Sequence, residues 1–180
     1  MRYSLLSSAS TDLDLSLPSH APELGARSPT FWDNTAFALY SLVKTSEAQL
    51  QSLASALEEQ WMTVPGGANE HLVRVAHPFD FTGQGLKDIV EAHIILGKEV
   101  APRLDGVPGG LKWFPTAFIV QTEDEGEAEG GLLFVYADTG RKYAMRKFCF
   151  SGRDAHSILS EIRLGDATPA EAAERFALQI

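Results

Sequence analysis

The residues best suited to chemistry sit together in His77-Pro78-Phe79-Asp80-Phe81. A histidine titrates near neutral pH, and an aspartate close by in the chain is a candidate to set its tautomer or hold its charge. Such a pair does general acid–base work without a cofactor. That chemistry suits an isomerase, a lyase or a cyclase, with His77 and Asp80 as the catalytic residues. The structural alternative is that His77 ends a strand, Asp80 holds a loop amide, and Phe79 and Phe81 fill the core.

Two glycines follow, in Thr82-Gly83-Gln84-Gly85-Leu86-Lys87. Gly83 and Gly85 at a helix start expose backbone N–H groups, and the helix dipole favours an anion there. The stretch is neither a full phosphate loop nor a full dinucleotide fingerprint, so it also reads as a plain connector. His93 lies on an apolar helix stripe, as a ligand contact or as a hydrogen-bonded core histidine. No His-x-x-x-His pair occurs, and no metal or other cofactor is expected.

Phe118, Phe134 and Tyr136 lie on strands and would line a pocket between the sheet and the long helix. Arg146 belongs to a basic run from Arg141 to Arg153 and is placed to hold a carboxylate or phosphate. Such cations also guard an edge strand against pairing with another chain. Cys149 stands two residues from Lys147, which would lower its pKa, yet most strand cysteines are small buried hydrophobes. There is no Gly-x-Ser-x-Gly elbow.

The elements that must position these residues follow from periodicity and punctuation. Asp12 to Leu17 alternates polar and leucine, which predicts a half-buried strand. Phe31 to Lys44 is apolar around most of a helical circumference, which predicts a helix covered on two sides. Ser46-x-x-Gln49 is a capping box, and Leu50, Leu53, Leu57 and Trp61 continue it as one apolar stripe. Residues 31–61 are therefore expected to form a helical hairpin.

Leu72 to Ala76 reads as a short strand, and residues 82–101 as the clearest helix, capped by Thr82. Ala117 to Gln121, Leu132 to Ala137 and Tyr143 to Phe150 read as three strands, with Asp138-Thr139-Gly140 as a tight turn. Residues 151–163 are helical, and Thr168-Pro169-x-Glu171 starts a last helix. The expected fold is one α+β domain over residues 1–180. It has a mostly antiparallel sheet with a C-terminal three-strand meander, helices packed on it, and the hairpin at the N-terminal side. Residues 70–180 hold the sheet.

The chain has 180 residues, with 44% hydrophobic and 22% charged, ordinary values for a globular domain. Its net charge is −9, and Glu123, Asp124, Glu125, Glu127 and Glu129 supply more than half of it. A general nucleic-acid binder wants a net basic surface, so no nucleic-acid partner is expected. No stretch approaches the roughly 18 apolar residues of a membrane span. Cys149 is the only cysteine, which fits a reducing compartment and a cytoplasmic protein. The sequence sets no oligomeric state. These features favour a soluble protein that binds a small organic molecule. The alternative is an interaction module using the helical hairpin or the acidic loop.

Overall fold

Ala36-Phe37-Ala38-Leu39-Tyr40-Ser41 forms a strand, β1 (Ala36–Ser41), and every residue in it is buried. This overturns the helix expected over Phe31–Lys44, and with it the helical hairpin. The physical reason lies in the same apolar run: a strand covered on both faces is as continuously apolar as a helix covered on two sides. The structure is a computed structural model of the chain and describes residues 13–25, 35–64, 70–100, 111–123 and 131–179.

The other elements are α1 (Glu47–Thr63), β2 (Val73–Asp80), α2 (Leu86–Leu96), β3 (Trp113–Gln121), β4 (Leu132–Asp138), β5 (Ala144–Phe150), α3 (Ala155–Leu164) and α4 (Pro169–Phe176). The strands form one sheet in the order β2-β1-β3-β4-β5. β1 runs parallel to β2 and to β3, whereas β3–β4 and β4–β5 are antiparallel. The domain is α+β, but its sheet is mixed rather than mostly antiparallel. Once Ala36–Ser41 is a strand, β1-α1-β2 and β2-α2-β3 both become crossovers, and crossovers join parallel strands.

Side-chain alternation splits the core into two layers. Phe37 and Leu39 point with Val75, Ile119, Phe134 and Phe150 to the face covered by α1, α3 and α4. Ala38 and Tyr40 point with Phe118, Val120 and Val135 to the face covered by α2. The rest of that second face is closed by the N-terminal segment. Its Leu13, Leu15 and Leu17 are half-buried while Asp14 and Ser16 are exposed, the alternation expected from the sequence. It is no strand of the sheet: its pairing is limited to isolated bridges, Asp14 with Gly85 and His20 with Ala144.

Both capping boxes form. Ser46 Oγ accepts from the Gln49 N–H at 3.1 Å, and Gln49 Oε1 accepts from the Ser46 N–H at 3.0 Å. Thr168 and Glu171 do the same at the start of α4, at 3.2 and 2.8 Å. Between them these contacts satisfy amides that a helix start otherwise leaves open.

α1 is tied to the start of β2 by a buried carboxylate. Glu58 Oε2 accepts from the backbone N–H groups of Leu72 and Val73 at 2.9 and 3.1 Å, and Glu58 Oε1 lies 2.8 Å from His71 Nδ1. Arg163 closes the same corner from α3. It reaches Glu70 Oε2 at 2.8 Å and stacks over Trp61 at 5.2 Å. Removing the carboxylate would strand two buried amides. Glu58→Ala is therefore expected to destabilise the domain by about 2 kcal/mol, read from urea unfolding. An unchanged midpoint would show that the clip contributes nothing.

Candidate functional site

Sheet topology decides where a crevice can open. The chain leaves β1 towards β2 and leaves β3 towards β4, so the loops beyond these two neighbouring strands diverge. In sheets of this kind the space outside the carboxyl ends of such strands is where ligands sit. A cleft of about 990 Å³ lies there. Leu42, Val43 and Lys44 line it from the loop after β1, and Thr122 and Glu123 from the end of β3. Thr82 to Gly85 and Asp88 line it from the turn into α2, and Leu13 to Leu15 wall it from the N-terminal segment. Ser41 stiffens the first loop: its hydroxyl donates to Val43 O at 2.7 Å and accepts from the Val43 N–H at 3.2 Å.

The turn into α2 is built by short-range bonds. Asp80 accepts from Thr82 Oγ1 at 2.6 Å and from the Thr82 N–H at 3.0 Å. These bonds hold its carboxyl below the usual range. Gly83 has φ +79°, the left-handed region that favours glycine. Gly85 allows a close approach, because a Cβ there would lie 3.0 Å from Asp14 Cβ and Oδ2 and Asp14 would have to shift. α2 starts after Gly85, so Thr82 does not cap it.

Gly83 and Gly85 thus reach the cleft, with two of the amides at the helix start already bonded. The Gly85 N–H donates to Asp88 Oδ2 at 2.9 Å, and the Leu86 N–H donates to Asp14 O at 3.0 Å. These two amides are spent, and the carboxylates of Asp14 and Asp88 lie beside them.

His77 and Asp80 are not brought together. β2 continues through His77 and Pro78 instead of ending there. His77 Nε2 lies 2.7 Å from Glu47 Oε1, and its side chain is 62% exposed. His77 does not line the cleft, while Asp80 is engaged with Thr82.

His93 is fully buried and bonded at both nitrogens. Phe114 O can only accept, so Nε2 carries the proton and donates to it at 2.9 Å. Nδ1 then accepts from the Tyr40 hydroxyl, also at 2.9 Å. Burial pushes the His93 pKa down to about 4, opposed by its bond to Phe114. Burial, with the charge of Glu99, raises that of Tyr40. His93 borders a cavity of about 140 Å³ with Leu24, Ile94 and Pro115. That is well below the roughly 300 Å³ of ordinary ligand sites.

Phe118, Phe134 and Tyr136 do not share a pocket. Phe118 packs against Tyr40 and His93, at ring centroid distances of 5.5 and 4.9 Å. Phe134 and Tyr136 lie on the opposite face, where Phe134 meets Phe148 at 5.3 Å. The sheet itself separates them. Arg146 is at the surface, 4.0 Å from Asp138 Oδ2. Burial, and then Glu123, raise the Cys149 pKa against the pull of Lys147, which keeps the thiol protonated. Most of the acidic loop lies outside the described residues. Among those that are described, no three His, Cys, Asp or Glu side chains form a metal-binding group, and no helix is long and apolar enough to cross a membrane.

Sequence reasoning missed Leu42, Val43 and Lys44, because it placed them in or beside a helix. The signal that would have found them is the apolar run ending at Val43, read as a central strand with a loop beyond it. Comparison with protein-family models, curated proteins and solved structures finds no match to the chain.

The His93 arrangement has a pH consequence. Its folded pKa, about 4, lies below its unbound value of 6.5. The unfolded chain therefore takes up the proton first. This stability is fully present above pH 6.5 and is lost as pH falls towards 4, at a cost of about 3 kcal/mol. NMR should show His93 ring signals that do not titrate between pH 8 and 5.5. A midpoint near 6.5 would contradict the buried, neutral assignment.

Proposed function

We propose that the protein binds a small organic molecule in the cleft at the carboxyl ends of β1 and β3. The observation that carries this reading is the coincidence of a cleft of about 990 Å³ with the point where the chain diverges between neighbouring parallel strands. Its lining has the mixed character of a ligand site: half-buried aliphatic side chains from Leu13, Leu15 and Val43, together with charged and hydroxyl groups.

Binding is favoured over proton transfer by His77 and Asp80. His77 lies outside the cleft with Glu47 as its partner, and Asp80 serves the turn. The competing idea of an interaction module loses its helical-hairpin surface, because Phe37 and Tyr40 are buried in β1. The single Cys149 supports a reducing, cytoplasmic setting.

A fragment screen read by backbone amide shifts tests this. Hits should perturb Leu42 to Lys44, Thr82 to Gly85 and Thr122 to Glu123 together. Val43→Trp should fill the space and weaken those hits at least tenfold without unfolding the domain. Hits that gather around His77 and Glu47 instead, or that survive Val43→Trp, would defeat the proposal.

A further inference from the structure

We infer that residues 13–17 form a strap that lifts from the sheet as a unit while Ser19 to Leu24 stays in place, so that one wall of the cleft moves. Its role in controlling access rests on the ligand-binding reading above, whereas the motion itself belongs to the free protein.

The attachment of the N-terminal segment changes sharply along its length. Ser19 to Leu24 is fixed. Ser19 O accepts from the Met145 N–H at 3.0 Å, and the Ala21 N–H donates to Tyr143 O at 3.0 Å. Ala21 and Leu24 are buried in the layer that α2 covers. Gly25 lies against the Tyr143 ring, where a Cβ would come 2.1 Å from Cε1. Leu13 to Leu17 is held far more lightly. Leu13, Leu15 and Leu17 are only half-buried, and Asp14 and Ser16 are exposed. Its pairing among the described residues is one isolated bridge, Asp14 with Gly85, where the Leu86 N–H donates to Asp14 O at 3.0 Å. β4, by contrast, pairs with β5 at every residue from Leu132 to Asp138. Another tie, Lys147 Nζ on Leu15 O, is an exposed contact. Lys87 and Lys147 also act on the Asp14 carboxylate, but charges at an exposed group hold weakly.

The stretch is built to move in one piece. Asp14 Oδ1 accepts from Ser16 Oγ at 2.6 Å and from the Ser16 N–H at 3.1 Å. Both bonds lie within the strap and travel with it. Its three leucines share one side, so they leave the sheet together. The helix beneath keeps its own start, because the Gly85 N–H is held by Asp88 of α2, and Leu86, Ile89 and Val90 are buried. Segments with few buried contacts and exposed backbone bonds open at a lower free energy than the core around them. Leu13, Asp14 and Leu15 line the cleft, so each opening takes away part of its wall.

Amide hydrogen exchange of the full chain, read by NMR without ligand, tests this. The Leu86 N–H reports the strap, the Met145 N–H its anchor, and the Ile89 N–H, bonded to Gly85 O, the first turn of α2. Relative to its intrinsic rate, Leu86 should exchange about a hundredfold or more faster than Ile89 and Met145. Leu15→Ser should speed Leu86 by roughly a further tenfold and leave the other two unchanged. Lys147→Met should speed Leu86 alone by releasing the other tie. Protection of Leu86 equal to both references would make residues 13–24 one fixed body. Fast exchange of Leu86 together with Ile89 would be fraying of α2, and together with Met145 release of the whole segment. A Leu86 rate that neither variant changes would show that the strap does not protect it. Each of these overturns the inference. If fragments fail to map to the cleft while Leu86 exchanges as expected, the binding reading falls and the strap stands. Hits in the cleft with a protected Leu86 give the reverse.

Discussion

The structure depends on burying β1 on both faces. Every other element is placed by what that strand presents. Phe37 and Leu39 offer one apolar surface, and α1, α3 and α4 cover it; Ala38 and Tyr40 offer the other, and α2 covers it. A strand with two dry faces must sit inside a sheet, with parallel neighbours supplied by crossovers. Those crossovers oblige the chain to turn away from β1 and β3 in different directions. The cleft is therefore a consequence of where β1 lies, not an addition to the fold.

Polar groups inside such a core are costly unless hydrogen-bonded. The two layers solve this in opposite ways. Glu58 accepts two backbone amides and faces His71, a set of donors suited to a carboxylate. His93 is kept uncharged, with one acceptor and one donor matched to its two nitrogens. Each contact also joins elements distant in the chain. Glu58 links α1 to β2, and His93 links α2 to Tyr40 of β1 and Phe114 of β3. Neither group is free for proton transfer, because its hydrogen-bonding capacity already serves the packing.

The legible parts of this fold were those with a local physical signature. The capping boxes at Ser46 and Thr168 need only side chains three residues apart, and both formed. The alternation at Leu13, Leu15 and Leu17 showed one dry side, although the segment packs without joining the sheet. Ala36–Ser41 was illegible because double burial erases the period that separates strand from helix. The site was lost for related reasons. β2 bulges between Val75 and Asp80, where five residues of β2 answer two of β1, so the separation of His77 and Asp80 along the strand did not reveal how they would be placed. Phe118 stands opposite Val135 while Phe134 stands opposite Ile119. That register sends the two phenylalanines to different layers, and sequence does not reveal register.

The N-terminal segment gives the cleft its particular character. Asp14 supplies a carbonyl to the Leu86 N–H and stands with its carboxyl beside Gly85. One residue thus accepts the first amide of α2, forms part of the cleft wall and places a carboxylate beside the helix start. Lys147 of β5 reaches Leu15 O, and Ser19 O accepts from the Met145 N–H at 3.0 Å, so the segment is anchored on the far edge of the sheet as well. A glycine at position 85 lets Asp14 approach closely, since a Cβ there would come within 3.0 Å of its side chain. This wall of the cleft is thus shaped by the backbone packing of the N-terminal segment around the start of α2.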